Sequence, residues 1–330
     1  MVSVITAFYN AEEFLRATVE SVASQTLQPE AHIIIDDCST DGSLCLAKEL
    51  ARKYPHVRLI KHDFNQGYPS ALNTGIAATQ SDYIAILDSD DIALPNWLET
   101  VVPVLDANPD VGSVGGGCVI MTESAEVTGY AQYCGVQGDI TERILEGEYL
   151  ILHPGTIHRK SVITSVGGYN PLLRSLEDND IFLGIASLTK ILSVGVPLIY
   201  YRQLRSSESG KSPEFAILAR RILDTKARLL RNGATIAEAN ASLTPMVQEL
   251  QTVPRLAQKA GGTYELAMGF AFESGGKRKR ALDFYLSAIV KGSSLEYPIA
   301  GLLRCTLPKI IYIFVKEVFN WSKNIIKRRF

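Results

Sequence analysis

The chain joins an apolar run to an acidic turn in Asp82-Tyr83-Ile84-Ala85-Ile86-Leu87-Asp88-Ser89-Asp90-Asp91. A short run with β-branched Ile84 and Ile86 predicts a buried strand. The three carboxylates then lie at its C-terminal end, where open α/β sheets place ligand sites. A solvated acidic turn is one interpretation. A site for Mg²⁺ or Mn²⁺ is the other, because hard oxygen ligands suit these ions and a cation would relieve the repulsion.

Strand and helix patterns alternate on the N-terminal side of this segment. Residues 2–7, 32–35, 57–60 and 82–87 predict strands, and the segments between them predict helices over 11–26, 43–53 and 68–78. The order β-α-β-α-β-α-β predicts a parallel sheet with right-handed crossovers.

A second acidic pair, Asp36-Asp37, follows the second strand. Parallel strands end at the same edge of a sheet, so both acid groups should meet there. This favours a nucleotide-plus-metal site. The lack of GxGxxG after the first strand argues against a Rossmann dinucleotide site, and the P-loop motif GxxxxGK[ST] is absent from the sequence.

Composition limits the class of protein. A length of 330 residues favours two domains, and a net charge of −2 gives no indication of nucleic-acid binding. Five scattered cysteines without a CxxC pair favour reduced thiols in a cytoplasmic protein. The N-terminus has no signal-peptide pattern, and no run of about 18 apolar residues predicts a transmembrane helix.

Six motifs in order carry a resemblance. The chain resembles the inverting nucleotide-sugar glycosyltransferases of family 2, which have the GT-A fold, over roughly residues 1–207. The motifs are Ser3-Val4-Ile5-Thr6-Ala7-Phe8-Tyr9-Asn10, Ile35-Asp36-Asp37-Cys38-Ser39-Thr40-Asp41-Gly42-Ser43, Asn73-Thr74-Gly75-Ile76, Leu87-Asp88-Ser89-Asp90-Asp91, Gly167-Gly168-Tyr169 and Glu177-Asp178.

The resemblance assigns the donor side residue by residue. Thr6, Ala7 and Tyr9 would line the nucleoside pocket. Asp37 would accept the N–H of the base, and Asp88 would contact the ribose. The expected donor is a nucleoside-diphosphate sugar, with a uracil nucleotide favoured.

The resemblance also assigns the metal and the acceptor side. Asp90 would ligate Mn²⁺ or Mg²⁺, and Asp91 would either help the metal site or cap a helix over 95–107. Glu177 would lie on the acceptor side, and Asp178 would be the catalytic base. From the residues alone, the segment around Glu177 and Asp178 is also typical of an acidic helix N-terminus favoured by the macrodipole.

Two positions depart from the family pattern. Leu72 stands where the family often has Arg, and Leu204 stands where the closing loop often has His. The third protein ligand of the metal is therefore unassigned. Arg202 and Arg205 would hold diphosphate oxygens instead. The Gln-x-x-Arg-Trp motif of processive members is absent from the sequence, so one sugar should be transferred per binding event.

The C-terminal third has helical periodicity, which places a domain boundary near Ser212. Residues 1–211 would form the GT-A-like domain, with a mostly parallel sheet flanked by helices. Residues 212–300 would form a smaller all-helical domain with one tetratricopeptide-like unit. Residues 301–330 would form a basic amphipathic helix.

This last segment has seven Lys or Arg and one Glu, and apolar residues recur at spacings of three and four. The pattern predicts either binding to an anionic membrane surface or a helix packed on the core. The expected location is cytoplasmic, with peripheral attachment to the cytoplasmic membrane face as the further option.

Two functions remain open from the sequence. The first is metal-dependent inverting transfer of one hexosyl or N-acetylhexosaminyl group to the hydroxyl of a glycan or lipid-linked acceptor. The second is a catalytically inactive nucleotide-sugar fold that serves as an interaction module through its helical domain. Tyr130, Tyr133 and Tyr149 would either stack on sugar faces or pack internally.

Overall fold

The computed structural model describes residues 1–173, 176–205, 213–253, 262–291, 293 and 296–306. The strands are β1 (Val2–Phe8), β2 (Ala31–Asp36), β3 (Val57–Lys61), β4 (Tyr83–Ile86), β5 (Ile92–Ala93), β6 (Val111–Met121), β7 (Val127–Gln132), β8 (Gln137–Asp139), β9 (Ile157–Arg159) and β10 (Lys190–Arg202). The helices are α1 (Leu15–Ala23), α2 (Ser43–Lys53), α3 (Tyr68–Ala77), α4 (Trp97–Ala107), α5 (Thr141–Leu145), α6 (Lys160–Ser165), α7 (Glu177–Ala186), α8 (Pro213–Arg231), α9 (Ile236–Thr252), α10 (Thr263–Ser274), α11 (Arg278–Val290) and α12 (Glu296–Thr306).

These strands form one sheet with the order β3-β2-β1-β4-β9-β6-β10-β5, while β7 pairs with β6 and β8 with β10. The first four strands in this order are parallel to one another. Strand β9 is antiparallel to both β4 and β6, and β10 is antiparallel to β5 and β8. The predicted α/β class is confirmed, and the sheet as a whole is mixed.

Helices cover both faces of the parallel half because side chains alternate along the strands. On one face, Phe8 and Ile34 pack with Leu15 of α1 and Leu50 of α2. On the other face, Ile5, Ile33 and Ile35 pack with α3 through Leu72 and Ile76. Burial on both faces explains why β1 and β2 have no polar–apolar alternation.

By contacts, the described residues fall into two compact units. The first comprises 1–119, 131–202 and the helices α8 and α9, whose Ala227, Leu230 and Ala239 join the core that contains Ile181 and Leu183. The second comprises 120–130, 203–205 and the helices α10 to α12. The division predicted at 211/212 and 300/301 stays a prediction.

In the second unit, two glycines let helices approach the ring of Tyr285 on α11. A Cβ built on Gly269 of α10 would lie 2.6 Å from that ring, and one built on Gly301 of α12 would lie 2.3 Å from it. The missing side chain at each glycine leaves room for the ring, and the tetratricopeptide-like unit stays a prediction.

Among the described residues, no helix is both long and apolar enough to cross a membrane. The predicted amphipathic tail lies outside the described residues from position 307 onward.

Candidate active site

The acidic motifs lie where the parallel strands end. Asp37 directly follows β2, and its backbone N–H donates to the carbonyl of Phe8 at the end of β1. The Oδ1 atom of Asp37 accepts from the N–H of Gln66 at 2.9 Å and contacts His62 Nδ1 at 2.8 Å. Its Oδ2 accepts from the N–H of Gly67 at 2.7 Å. Asp37 therefore holds the loop that leads into α3.

The predicted nucleoside-side residues lie on or just after β1. Thr6 and Ala7 are buried within the strand, and Thr6 Oγ1 lies 2.9 Å from Nε2 of His32 on β2. Tyr9 follows the strand and is 49% exposed, so its side chain is available to a ligand.

Two non-glycine residues adopt left-handed backbone conformations in the loops after β1 and β2. They are Asn10, with φ of 52°, and Cys38, with φ of 66°. Asn10 donates its N–H to Ser39 Oγ at 3.0 Å, and its Oδ1 accepts from the N–H of Thr40 at 2.8 Å. Hydrogen bonds between the loops hold this unfavourable backbone in place, which is typical of binding sites.

The segment after β4 brings three carboxylates together. Asp88, Asp90 and Asp91 each offer an oxygen within 4.8 Å of the others. Asp91 Oδ1 accepts from the N–H of Arg202 at 2.8 Å, whereas its buried Oδ2 has no hydrogen-bond partner among the described residues. Helix α4 begins at Trp97, so the helix-cap role considered for Asp91 is wrong.

Crowding changes the acidity of this cluster. Burial, then the charge of Asp90, raises the pKa of Asp88 to about 7. Burial also raises the pKa of Asp90, and burial with both neighbouring charges raises that of Asp91 well above its ordinary range. Hard oxygen donors this close, one of them without a partner, fit a divalent cation such as Mg²⁺ or Mn²⁺.

The two predicted diphosphate-binding arginines have different surroundings. Arg202, at the end of β10, donates from Nε to the carbonyl of Asp90 at 2.7 Å, and its charge lowers the pKa of Asp90 against the effect of burial. Arg205 forms an ion pair with Glu265 and lies with its guanidinium 4.2 Å from the ring centroid of Tyr264. Arg202 thus lies beside the acidic cluster, and Arg205 is committed to protein partners.

Helix α7 presents the predicted acceptor-side acids in its first turn. The carboxylate of Asp178 accepts a hydrogen bond from the hydroxyl of Tyr149 at Oδ2. Its Oδ1 accepts from the N–H of Asn179 at 2.7 Å and from its side-chain amide at 3.0 Å. Glu177 precedes it in the same turn.

Donor-side and acceptor-side acids meet in the first unit. The charge of Asp178 contributes to the raised pKa of Asp88, after burial and Asp90. Burial followed by the charges of Asp88, Glu177 and Asp178 raises the pKa of Tyr169. The structure therefore brings these four side chains around one site.

Sequence reasoning missed Tyr68 and gave no role to Tyr169. Tyr68 donates its hydroxyl to Asp88 Oδ1, and the hydroxyl of Tyr169 lies 2.8 Å from Nε2 of His153. Asn73 joins two of the motifs, since its side chain bonds the N–H and carbonyl of Tyr169 at 2.9 and 2.7 Å. Only the Gly167-Gly168-Tyr169 motif hinted at one of these contacts.

A family model described as glycosyl transferase family 2 matches residues 3–155. An uncharacterized glycosyltransferase of Haemophilus influenzae is 30% identical over 215 residues, which cover 63% of this chain and 71% of that relative. The chain belongs to glycosyl transferase family 2.

Other known proteins align with this chain over different lengths. A second uncharacterized glycosyltransferase of Haemophilus influenzae is 33% identical over 123 residues, and the alignment spans 37% of this chain and 38% of that relative. TarS of S. aureus, solved in complex with UDP, superposes with a TM-score of 0.56 at 17% identity and covers 97% of this chain and 91% of its own. A TarS complex with UDP-GlcNAc also gives 0.56, at 14% identity, and covers 91% of this chain and 90% of its own. These likenesses confirm the fold.

Proposed function

We propose that this chain transfers one sugar from a nucleoside-diphosphate sugar to the hydroxyl of a glycan or lipid-linked acceptor, with inversion at the anomeric carbon. The observation that carries the proposal is the meeting of the Asp88, Asp90 and Asp91 cluster with Asp178, close enough for Asp178 to raise the pKa of Asp88. An acidic metal site beside a separate carboxylate is the arrangement that a one-step displacement needs.

The donor would lie along the ends of β1, β2 and β4. Thr6, Ala7 and Tyr9 would line the nucleoside pocket, Asp37 would accept the base N–H, and Asp88 would contact the ribose. A UDP-sugar is favoured because TarS, which shares the fold, was solved with UDP and with UDP-GlcNAc. The transferred group is proposed to be a hexosyl or N-acetylhexosaminyl group.

Asp90 would hold Mn²⁺ or Mg²⁺. Leu204 stands where the family often has a histidine, and Asp91 would supply a neighbouring oxygen donor instead. When bound, the ion neutralises the charge that develops on the leaving diphosphate. Arg202 would add a positive charge beside the cluster and hold diphosphate oxygens. The same contact proposed for Arg205 would require its guanidinium to leave the ion pair with Glu265.

Asp178 would accept the proton of the attacking hydroxyl as general base. We expect Asp178→Asn to keep the side-chain shape and the affinity for UDP, but to lower turnover by roughly 10²-fold or more. The measurement is UDP release from a panel of UDP-sugars with Mn²⁺, alongside calorimetry with UDP. Glu177→Gln is the matched control, expected to lower turnover less. Normal turnover in Asp178→Asn, or an inactive Glu177→Gln, would assign the base to Glu177.

The second candidate function, an inactive interaction module, is less favoured. It is supported by Leu72, which lies in the core, and by Leu204. The acids at positions 37, 88, 90 and 178 argue against it. Mn²⁺-dependent hydrolysis of any nucleotide sugar by the full chain would exclude it.

The proposal for the tail is surface binding to the cytoplasmic membrane face through residues 301–330. Their opposed apolar and basic positions support it. The full chain should co-sediment with anionic liposomes at low salt, and a chain ending at residue 300 should remain in the supernatant. If the full chain also stays in the supernatant, the tail packs on protein instead.

A further inference from the structure

The two oxygens of the Asp178 carboxylate accept different numbers of hydrogen bonds from the described residues. Oδ1 accepts two hydrogen bonds from Asn179, one from the backbone at 2.7 Å and one from the side chain at 3.0 Å. Oδ2 accepts one, from the hydroxyl of Tyr149. An ionised carboxylate has about four acceptor positions, two on each oxygen. Among the part of the chain that the structure describes, the remaining position therefore lies on Oδ2.

Tyr149 is suited to be a permanent donor. Burial, followed by the charge of Asp178, raises the pKa of its hydroxyl well above the ordinary value, so it keeps its proton at neutral pH. The ring of Tyr133 meets its ring edge-on at a centroid distance of 6.0 Å. The Tyr149 ring is thus packed against a second ring while its hydroxyl donates to Oδ2.

The donor side has a tyrosine of the same kind. Tyr68 donates its hydroxyl to Asp88 Oδ1, and burial raises the pKa of Tyr68 as well. Each of the two facing carboxylates therefore has its own tyrosine donor. Loss of one hydroxyl should affect one side of the reaction and leave the other intact.

We propose that Tyr149 is the positioning residue of the catalytic base, and that Oδ2 of Asp178 is the atom that takes the acceptor's proton. This inference rests on the proposed function. The Tyr149 hydroxyl fixes the direction of Oδ2 and stabilises its negative charge, while Asn179 occupies Oδ1.

The proton and electron pairs balance in this step. The acceptor oxygen forms a bond to the anomeric carbon as the bond from that carbon to the diphosphate oxygen breaks. The hydroxyl proton passes to Oδ2 of Asp178, and the nucleoside diphosphate leaves with the electron pair. Tyr149 donates a hydrogen bond throughout and transfers no proton.

The test uses the full chain with UDP-GlcNAc as the probe, since water can act as the acceptor and UDP release reports turnover. Tyr149→Phe should lower the turnover number about tenfold, the usual effect of losing a hydrogen bond to a charged group. The dissociation constant for UDP with Mn²⁺ should stay within about twofold of wild type. Added to Asp178→Asn, Tyr149→Phe should have no further effect, because it acts through that carboxylate.

Tyr285→Phe is the matched control. Its hydroxyl also donates to a carboxylate, at 2.5 Å from Glu273 Oε2, but neither residue belongs to the proposed site. This variant should release UDP at the wild-type rate. Tyr68→Phe, by contrast, should weaken UDP binding.

Three results would overturn the inference. The first is unchanged turnover in Tyr149→Phe, and the second is a loss of UDP affinity in this variant that accounts for its whole loss of turnover. The third is a double variant whose turnover is lower than that of Asp178→Asn by the full effect of Tyr149→Phe. If no UDP-sugar in the panel is turned over by wild type, or if Asp178→Asn is fully active, the proposed function fails and this inference falls with it. An active wild type with an inactive Asp178→Asn and a normal Tyr149→Phe overturns the inference alone.

Discussion

The carboxylates after β4 and the carboxylates of α10 have opposite electrostatic surroundings. Asp88, Asp90 and Asp91 crowd together, and the pKa of each is raised. On α10, Glu265 is buried, yet hydrogen bonds from Lys291 and Arg205 lower its pKa against the effect of burial. Glu273 of the same helix accepts from Arg304 at 2.6 Å and from the Tyr285 hydroxyl.

The difference separates structural carboxylates from functional ones. A buried carboxylate that faces a cation contributes to the fold, and removing either partner leaves an unpaired charge. Three carboxylates that face mainly one another destabilise the protein until a cation binds. The cluster after β4 is therefore a candidate ligand site, whereas the pairs on α10 are not.

Helix α7 contains one carboxylate paired with a cation and one that lies near another carboxylate, two positions apart. Asp180 is buried against Lys226, which is itself 1% exposed, and the two form an ion pair. Asp178 accepts hydrogen bonds from neutral donors and lies near the negative charge of Asp88. One acid of the turn holds α8 to α7, and the other is the proposed general base.

The largest expected effect comes from breaking the buried ion pair between Lys226 and Asp180. Lys226→Met should lower the free energy of unfolding by about 3–5 kcal/mol, because Asp180 would remain buried without its cation. Urea denaturation measures the change. The double variant Lys226→Met with Asp180→Asn should recover much of the loss, and equal instability of both variants would contradict the assignment.

A smaller effect is expected when the cluster loses its central ligand. Asp90→Ala should weaken UDP binding in the presence of Mn²⁺ by roughly 10–100-fold. Loss of a residue that only supports a metal ligand has an effect of this size, and loss of a ligand should have at least the same effect. Binding without metal should change little. Calorimetry with UDP, with and without Mn²⁺, measures both. Metal-enhanced binding equal to wild type would remove Asp90 from the metal site.

The smallest effect concerns stability without metal. The folded pKa of Asp88 is about 7, above its ordinary 3.8, so the folded state holds a proton between these values that the unfolded state has lost. Its contribution to stability therefore falls as the pH rises from about 4 to 7. Asp88→Asn should raise the free energy of unfolding at pH 7 by about 1–2 kcal/mol and have little effect near pH 4. A gain that is the same at both pH values would contradict this.

Much of the fold could be predicted because β-α-β order leaves few topologies. The first four strands lie within two residues of their predicted bounds, and both acid groups lie at the ends of β2 and β4. The antiparallel half was harder to predict. Residues 122–150 have no clear period, and their strands β7 and β8 depend on pairing with β6 and β10.

The sequence by itself determined the parallel half of the sheet, the family motifs and the acidic residue types at the strand ends, because these depend on local order and composition. Only the tertiary structure decided which acids face a cation and which face one another. Asp178 and Asp180 lie in the same acidic turn, and Lys226, 46 residues beyond Asp180, forms its ion pair with Asp180. The same holds for Tyr68 and Tyr149, whose hydroxyls reach their carboxylates from 20 and 29 residues away. Side-chain contacts across such separations form only when the elements pack, so no local pattern encodes them.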